Sequence, residues 1–266
     1  MTKHPFDLEH TANRIKMHML GSRFHKKVIL LEGPSDTQFY RRMFANTVHT
    51  RAMYSRETVV GVCKLLEETD FPCYGIVDLD YYWFHSEQAS APGNVLALDE
   101  NNLESFVLFE AQNFESWNNT GTPDTILNII QCAISLGILR CINHAHYKNW
   151  RFKPDQGSNN PAYHLRPEIR QIFHKMGTQS PEVLLPHLLE LFSLSETEYQ
   201  SMSNDIHNSS NYALSRLVNG KDLNTFLSLS GMPDVYVQMA ENFSLEIFRN
   251  TQLGEQLEPL GVLKNG

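Results

Sequence analysis

The chain has 266 residues, a formal net charge of −8, 41% hydrophobic and 20% charged residues. That length buries a full core in one large domain or two smaller ones, and the composition is that of an ordinary folded protein. The acidic balance argues against broad, non-specific adhesion to nucleic acid, so any such contact must come from a local basic patch.

No apolar run approaches the roughly 20 residues that cross a bilayer. Met1-Thr-Lys-His-Pro-Phe-Asp has no charged segment leading into an apolar one. The expectation is a cytoplasmic chain with no signal peptide and no membrane partner. Cys63, Cys73, Cys132 and Cys141 form no CxxC pair and sit among apolar neighbours, which predicts buried free thiols.

Taken in order, Leu8 to Gly21 predicts a helix with Leu8, Ala12, Ile15, Met19 and Leu20 on one side and Gly21 as its stop. Arg23, Lys26 and Lys27 lead into Val28–Leu31, four apolar residues without alternation, as expected of a strand covered on both faces. Gly33-Pro34-Ser35-Asp36 turns into a helix from about Asp36 to Asn46, capped by Ser35 or Asp36. A weak strand at Arg51–Tyr54 and a helix at Glu57–Glu68 follow. Next come a strand at Cys73–Val77, another at Asn94–Leu98 ending at Asp99, and a helix at Asn102–Glu110. This alternation predicts an α/β fold with a parallel sheet of about four strands flanked by helices.

Beyond Thr120 the pattern turns helical. The candidates are Pro123 to about Ile142, Pro167–Met176, Pro181–Phe192, Ser195–Ser201, Asn211–Leu217, Asp222–Leu229 and Leu245–Gln252, with a polar loop at Asn143–Ala162. The expected division is therefore an N-terminal helix (1–25), an α/β core (26–115) and a mainly helical C-terminal region (116–266).

Ligands of open α/β sheets bind beyond the carboxyl ends of the strands. Glu32, Asp78 and Asp80 fall there. Glu32 and Asp36 are four residues apart across a turn into a helix, so both can face one cavity. Asp78 and Asp80 are two apart, so a short extended segment points both to one side. Clustered carboxylates cost several kcal/mol in order of magnitude unless a cation joins them, and magnesium needs only a few such hard oxygens. The competing explanation is that Glu32 and Asp36 simply begin a helix, where the dipole favours acids, and that Asp78 and Asp80 are ordinary loop acids.

Leu31-Glu32-Gly33-x-x-Asp36 followed by Val77-Asp78-Leu79-Asp80 resembles the Toprim domain of topoisomerases, bacterial primases and overcoming-lysogenization-defect nucleases. The likeness is greater to AriB-like effectors of PARIS antiphage defence, which are paired with an ABC-type ATPase. Asn102-Leu103-Glu104 resembles an Asn-Leu-Glu element of those proteins, and Gly220-Lys221-Asp222-Leu223 is similar to their Gly-His-Asp-Leu segment.

The resemblance implies a Mg²⁺- or Mn²⁺-dependent nuclease acting as a toxic effector. Its substrate would be RNA, transfer RNA in particular, rather than DNA, and the partner ATPase would release it. Glu32 would be the principal acid, as metal ligand or general base. Asp78 and Asp80 would hold the ion, and Asp36 and Glu104 would serve a second metal position. Lys221 stands where histidine is expected; a charged lysine cannot ligate a metal but could pair with the scissile phosphate or stabilise the leaving oxygen, the alternative being a merely solvated side chain.

Two further features bear on substrate. Tyr81, Tyr82, Trp83, Phe84 and His85 follow the acids and could stack bases, although such a cluster also packs loops. His144, His146, Lys148, Arg151 and Lys153 form the best linear basic patch, with His146, Lys148 and Arg151 as phosphate contacts or merely as a solvated loop. No GxxxxGK[ST] loop is present, so ATP hydrolysis would belong to the partner. A homodimer is also expected. The alternatives are a non-catalytic regulatory or interaction subunit of an ATPase complex and a Toprim DNA endonuclease. Primase or topoisomerase work would need modules that this chain does not show.

Overall fold

Four consecutive branched or long aliphatic side chains can only be stable where both faces of a strand are covered. That is where they lie: Val28, Ile29, Leu30 and Leu31 are each 0% exposed. They form β1 (Lys27–Leu31) in the computed structural model, which describes residues 7–23, 25–69, 71–81, 92–98, 100–110, 123–146, 148–153, 165–176, 180–209, 213–232 and 235–265. Tyr82 to His85, Asp99 and residues 114–122 lie outside the described residues.

The described chain divides into two compact units, Met1–Asp78 with Gln88–Asp99 and Phe243–Gly266, and Leu79–Glu87 with Glu100–Asn242. The expected division followed the chain order, whereas the units interleave. The last segment, assigned by sequence to the helical region, belongs to the unit that holds the sheet.

In the first unit, β1 is flanked by β2 (Val48–Ala52) and β3 (Cys73–Val77), and β4 (Val95–Ala97) pairs with β3. The order is β2-β1-β3-β4 and every pairing is parallel. Helices α1 (Leu8–Gly21), α2 (Pro34–Tyr40) and α3 (Arg56–Glu67) surround it. One face carries α1 and α3, with Ala12, Ile15, Val59, Val62 and Leu66 packed on Val28, Leu30 and Val77. Gly75 lets α3 sit down on β3, because a Cβ there would lie 2.7 Å from Val59 Cγ1 and 2.9 Å from Cys63 Sγ.

Several boundaries differ from expectation; α2 begins at Pro34 with Gly33, not Ser35 or Asp36, as its N-cap. β2 begins at Val48, three residues before the predicted Arg51, and Tyr54 leaves the strand with φ 66°. It is an edge strand whose burial alternates from Val48 through Thr50, so its polar residues hide it from a search for apolar runs. The α2 helix stops at Tyr40 because residues 41–44 turn back to receive the chain's end. Ala45 N–H donates to Val262 O at 2.9 Å, and Phe44 bridges Leu263. Phe39 and Tyr40 pack on Phe243 and Phe248.

The second unit is helical. It contains α4 (Leu103–Glu110), α5 (Pro123–Ala145), α6 (Pro167–Met176), α7 (Pro181–Leu191), α8 (Glu196–His207), α9 (Leu214–Leu217), α10 (Gly220–Leu229) and α11 (Val235–Asn242). Two short helices, α12 (Leu245–Arg249) and α13 (Gln252–Leu257), return to the first unit. The single helix predicted at Leu245–Gln252 is thus broken. Thr251 starts a new one, its Oγ1 accepting from Gly254 N–H at 3.0 Å.

Helix α5 corrects one expectation. Over Asp124–Ala145 it is long and apolar enough to cross a membrane by length and composition. Ile129, Cys132, Ala133, Leu136, Leu139, Cys141 and Ile142 are buried, and α7, α8, α9 and α10 pack on the helix. It is the core helix of its unit. The isolated polar residues that interrupt it are why no unbroken apolar run is visible. All four cysteines are free and buried, and burial raises the Cys132 and Cys141 thiols to about 12.

Candidate active site

Leu31 pairs with Ile76, so the chain leaves β1 and β3 at the same edge of the sheet. There Glu32 and Asp78 meet. The Asp78 main-chain N–H donates to Glu32 Oε1 at 2.8 Å, and the Arg56 guanidinium donates to the Asp78 carbonyl oxygen. A main-chain donor fixes a carboxylate's direction without cancelling its charge. Both acids are half-buried.

Asp36 has a local task. Its Oδ2 accepts from the Gly33 N–H at 2.8 Å and its Oδ1 from the Ser35 hydroxyl at 3.2 Å. This is the return half of a capping box that starts α2. Each carboxylate oxygen can accept more than one hydrogen bond or metal contact. The donor set at this edge is all oxygen, which suits Mg²⁺ or Mn²⁺.

Asp80, in the second unit, stands at φ 49°, a left-handed backbone that costs a side-chain-bearing residue about 1 kcal/mol or more. Asn101 holds it there. Asp80 N–H donates to Asn101 O at 2.7 Å, and Asn101 Nδ2 donates to Asp80 O at 3.0 Å and to Arg216 O at 3.2 Å. Asn101 is fully buried.

The two short segments singled out beside the acids, Asn102-Leu103-Glu104 and Gly220-Lys221-Asp222-Leu223, pack on each other. Asn102 Oδ1 accepts from Ser105 N–H at 3.1 Å, starting α4, and from Gly220 N–H at 3.1 Å, where α10 starts. Gly220 has no alternative, since a Cβ there would collide with the Ser105 nitrogen. Asn219 caps α10, accepting from Lys221 N–H at 3.1 Å and Asp222 N–H at 3.3 Å, and its Nδ2 donates to Asn101 Oδ1 at 3.2 Å.

Charges in this cluster are paired. Lys221 Nζ lies 3.7 Å from Glu104 Oε1. Asp222 and Arg140 form a bidentate pair, with Arg140 Nε and NH2 donating at 2.5 and 2.8 Å, and the Asp222 side chain is only 2% exposed. Burial opposes the Arg140 charge, but Asp222 outweighs it and keeps the guanidinium above its ordinary pKa.

Tyr81 places its hydroxyl inside this unit with no hydrogen-bond partner among the described residues. Burial pushes that hydroxyl well above its usual pKa, with Asp222 and Asp80 adding to the shift and Arg140 opposing it. Its polar end is therefore turned inward, away from any ligand in solvent. His146, Lys148 and Arg151 are exposed, beside a loop that Asn143 clasps by accepting from Trp150 N–H at 2.7 Å.

Sequence reasoning missed Asn101, Asn219 and Arg140. Asn219 carried a signal, as an asparagine directly before a glycine that opens a helix. Arg140 carried none, because its partner comes from a remote segment. No family model, no curated protein and no solved structure matches this chain.

Proposed function

We propose that the chain is a metal-dependent phosphodiester hydrolase of the Toprim kind, with Glu32 as its principal acid. The observation that carries this reading is the Glu32–Asp78 contact at the carboxyl edge of two adjacent parallel strands. There a half-buried carboxylate is aimed by a main-chain donor. The strained backbone of Asp80 adds support, since such strain persists where a particular side-chain position is needed.

Glu32 would hold the divalent ion, and the resemblance adds Asp36 and Asp78 as ligands. When bound, such an ion supplies Lewis acidity and a water of lowered pKa. The chain's own part is orientation. Asp78 N–H fixes one Glu32 oxygen, Arg56 fixes the Asp78 carbonyl, and the Glu32 carboxylate binds the ion or takes the proton of water.

The finer reading is an RNA-cleaving, transfer-RNA-directed effector of antiphage defence, released by a partner ATPase. It rests on the motif resemblance alone. The test is expression of wild type and Glu32→Ala, each with and without the neighbouring ATPase, scored on total RNA and plasmid DNA. Cleaved RNA with intact plasmid in the wild type alone supports the RNA effector. Cut plasmid supports a DNA endonuclease. If activated wild type cuts neither in Mg²⁺ or Mn²⁺, the nuclease reading fails.

One observation favours a second reading, that of a non-catalytic interaction subunit. Glu104, an expected ligand, is paired with Lys221.

A further inference from the structure

Three histidines converge in the sheet-bearing unit. His18 comes from α1, His25 from the turn before β1, and His49 from β2. Their ring centroids are 4.5 Å (His18–His49), 5.2 Å (His25–His49) and 6.1 Å (His18–His25) apart. One ligand nitrogen from each lies within 4.8 Å of the others. We infer that His18, His25 and His49 form a binding site for a divalent transition metal, Zn²⁺ first, with a fourth coordination position left open.

Three features support the assignment. Imidazole nitrogen suits Zn²⁺, Ni²⁺, Co²⁺ and Cu²⁺, whereas Mg²⁺ takes oxygen. Three histidines with one open position is a common donor set for zinc. Zinc–nitrogen bonds of about 2.0–2.1 Å in tetrahedral geometry put ligand nitrogens about 3.4 Å apart, so the widest pair needs to close by roughly 1.4 Å at most. Side-chain rotation supplies that.

The outer contacts are also in place. Ser22 Oγ accepts from His25 N–H at 3.0 Å and lies 3.1 Å from His25 Nδ1. In the tautomer in which Nδ1–H donates to Ser22 Oγ, Nε2 is the ligand atom, the usual outer-shell arrangement of a ligating histidine.

The surroundings define the fourth ligand. His18 and His49 line a cavity of about 820 Å³ together with Arg14, Arg41 and Arg51. Three guanidinium groups disfavour a bare dication but favour one whose open position carries an anion, such as hydroxide or a phosphate oxygen.

The site shares no ligand residue with the carboxylate edge, and its test keeps the two apart. Full-length, chelator-treated protein is titrated with Co²⁺ in excess Mg²⁺, which occupies carboxylates, and Co²⁺ is then competed off with Zn²⁺. The expected result is one Co²⁺ per chain with a visible absorption band of nitrogen-ligated tetrahedral cobalt, displaced by Zn²⁺. His18→Asn, at an exposed position, should bind at least 10-fold more weakly while its circular dichroism is unchanged. Ser22→Ala should weaken binding 10- to 100-fold. If wild type binds no Co²⁺, or binds it equally with His18→Asn and His25→Asn, the assignment is overturned. It is also overturned if the cavity binds inorganic phosphate and neither metal, which would make it a basic anion pocket.

Discussion

The two units hold their acids in opposite ways. In the sheet-bearing unit, Glu32 is aimed by a main-chain N–H of Asp78, and Asp36 by a main-chain N–H of Gly33. In the helical unit, Asp222 is gripped by Arg140 and Glu104 by Lys221. A main-chain donor orients a carboxylate and leaves its charge, whereas a cationic side chain cancels it. The helical cluster is a framework that fixes Asn101, and through it the backbone of Asp80.

That contrast can be broken at its strongest point first. Asp222→Asn or Arg140→Met leaves a buried partner without its counter-charge and should cost about 3–5 kcal/mol, read as a lower urea midpoint with an unchanged slope. A loss below about 1 kcal/mol would mean that the pair is no framework. Asn102→Ala strands the buried N–H groups of Ser105 and Gly220 and should cost on the order of 2–3 kcal/mol, measured the same way. Asn219→Ala removes the cap of α10 and should cost about 1 kcal/mol in thermal unfolding. Lys221→Met sharpens the comparison from the other side. Its side chain is 40% exposed, so stability should fall by no more than about 1 kcal/mol. Nuclease activity, assayed in parallel, reports whether the lysine meets a phosphate.

Much of the sheet was legible because its two central strands are built from apolar runs. Val28–Leu31 and Cys73–Val77 admit no surface placement, and the acids that follow them fall at the carboxyl edge by topology alone. Helix α1 was legible through its period, with Ala12, Ile15 and Met19 buried as expected, although Leu20, expected on the same side, is exposed. What was not legible depends on remote segments meeting. β2 is an edge strand with polar residues outward, and its start was misplaced. Helix α11, Val235–Asn242, was not foreseen because only Val235 and Met239 face inward.

The contact between Asn102 and Gly220 joins segments more than a hundred residues apart. Neither helix start announces the other. The histidines make the same point. His18, His25 and His49 have no motif spacing, and they meet only because β2 pairs with β1 from Val48 onward while α1 lies nearby. A spacing search finds ligands on one element, but not ligands on three.

The central claim is that Glu32 is an aimed, working carboxylate. Glu32→Gln keeps the shape and an oxygen able to accept from Asp78 N–H, so it should fold with unchanged thermal stability. On the proposed nuclease reading, its cleavage of RNA in Mg²⁺, with the proposed partner ATPase, should fall roughly a hundred- to ten-thousand-fold below wild type. Wild-type rates in a folded Glu32→Gln protein would contradict the account.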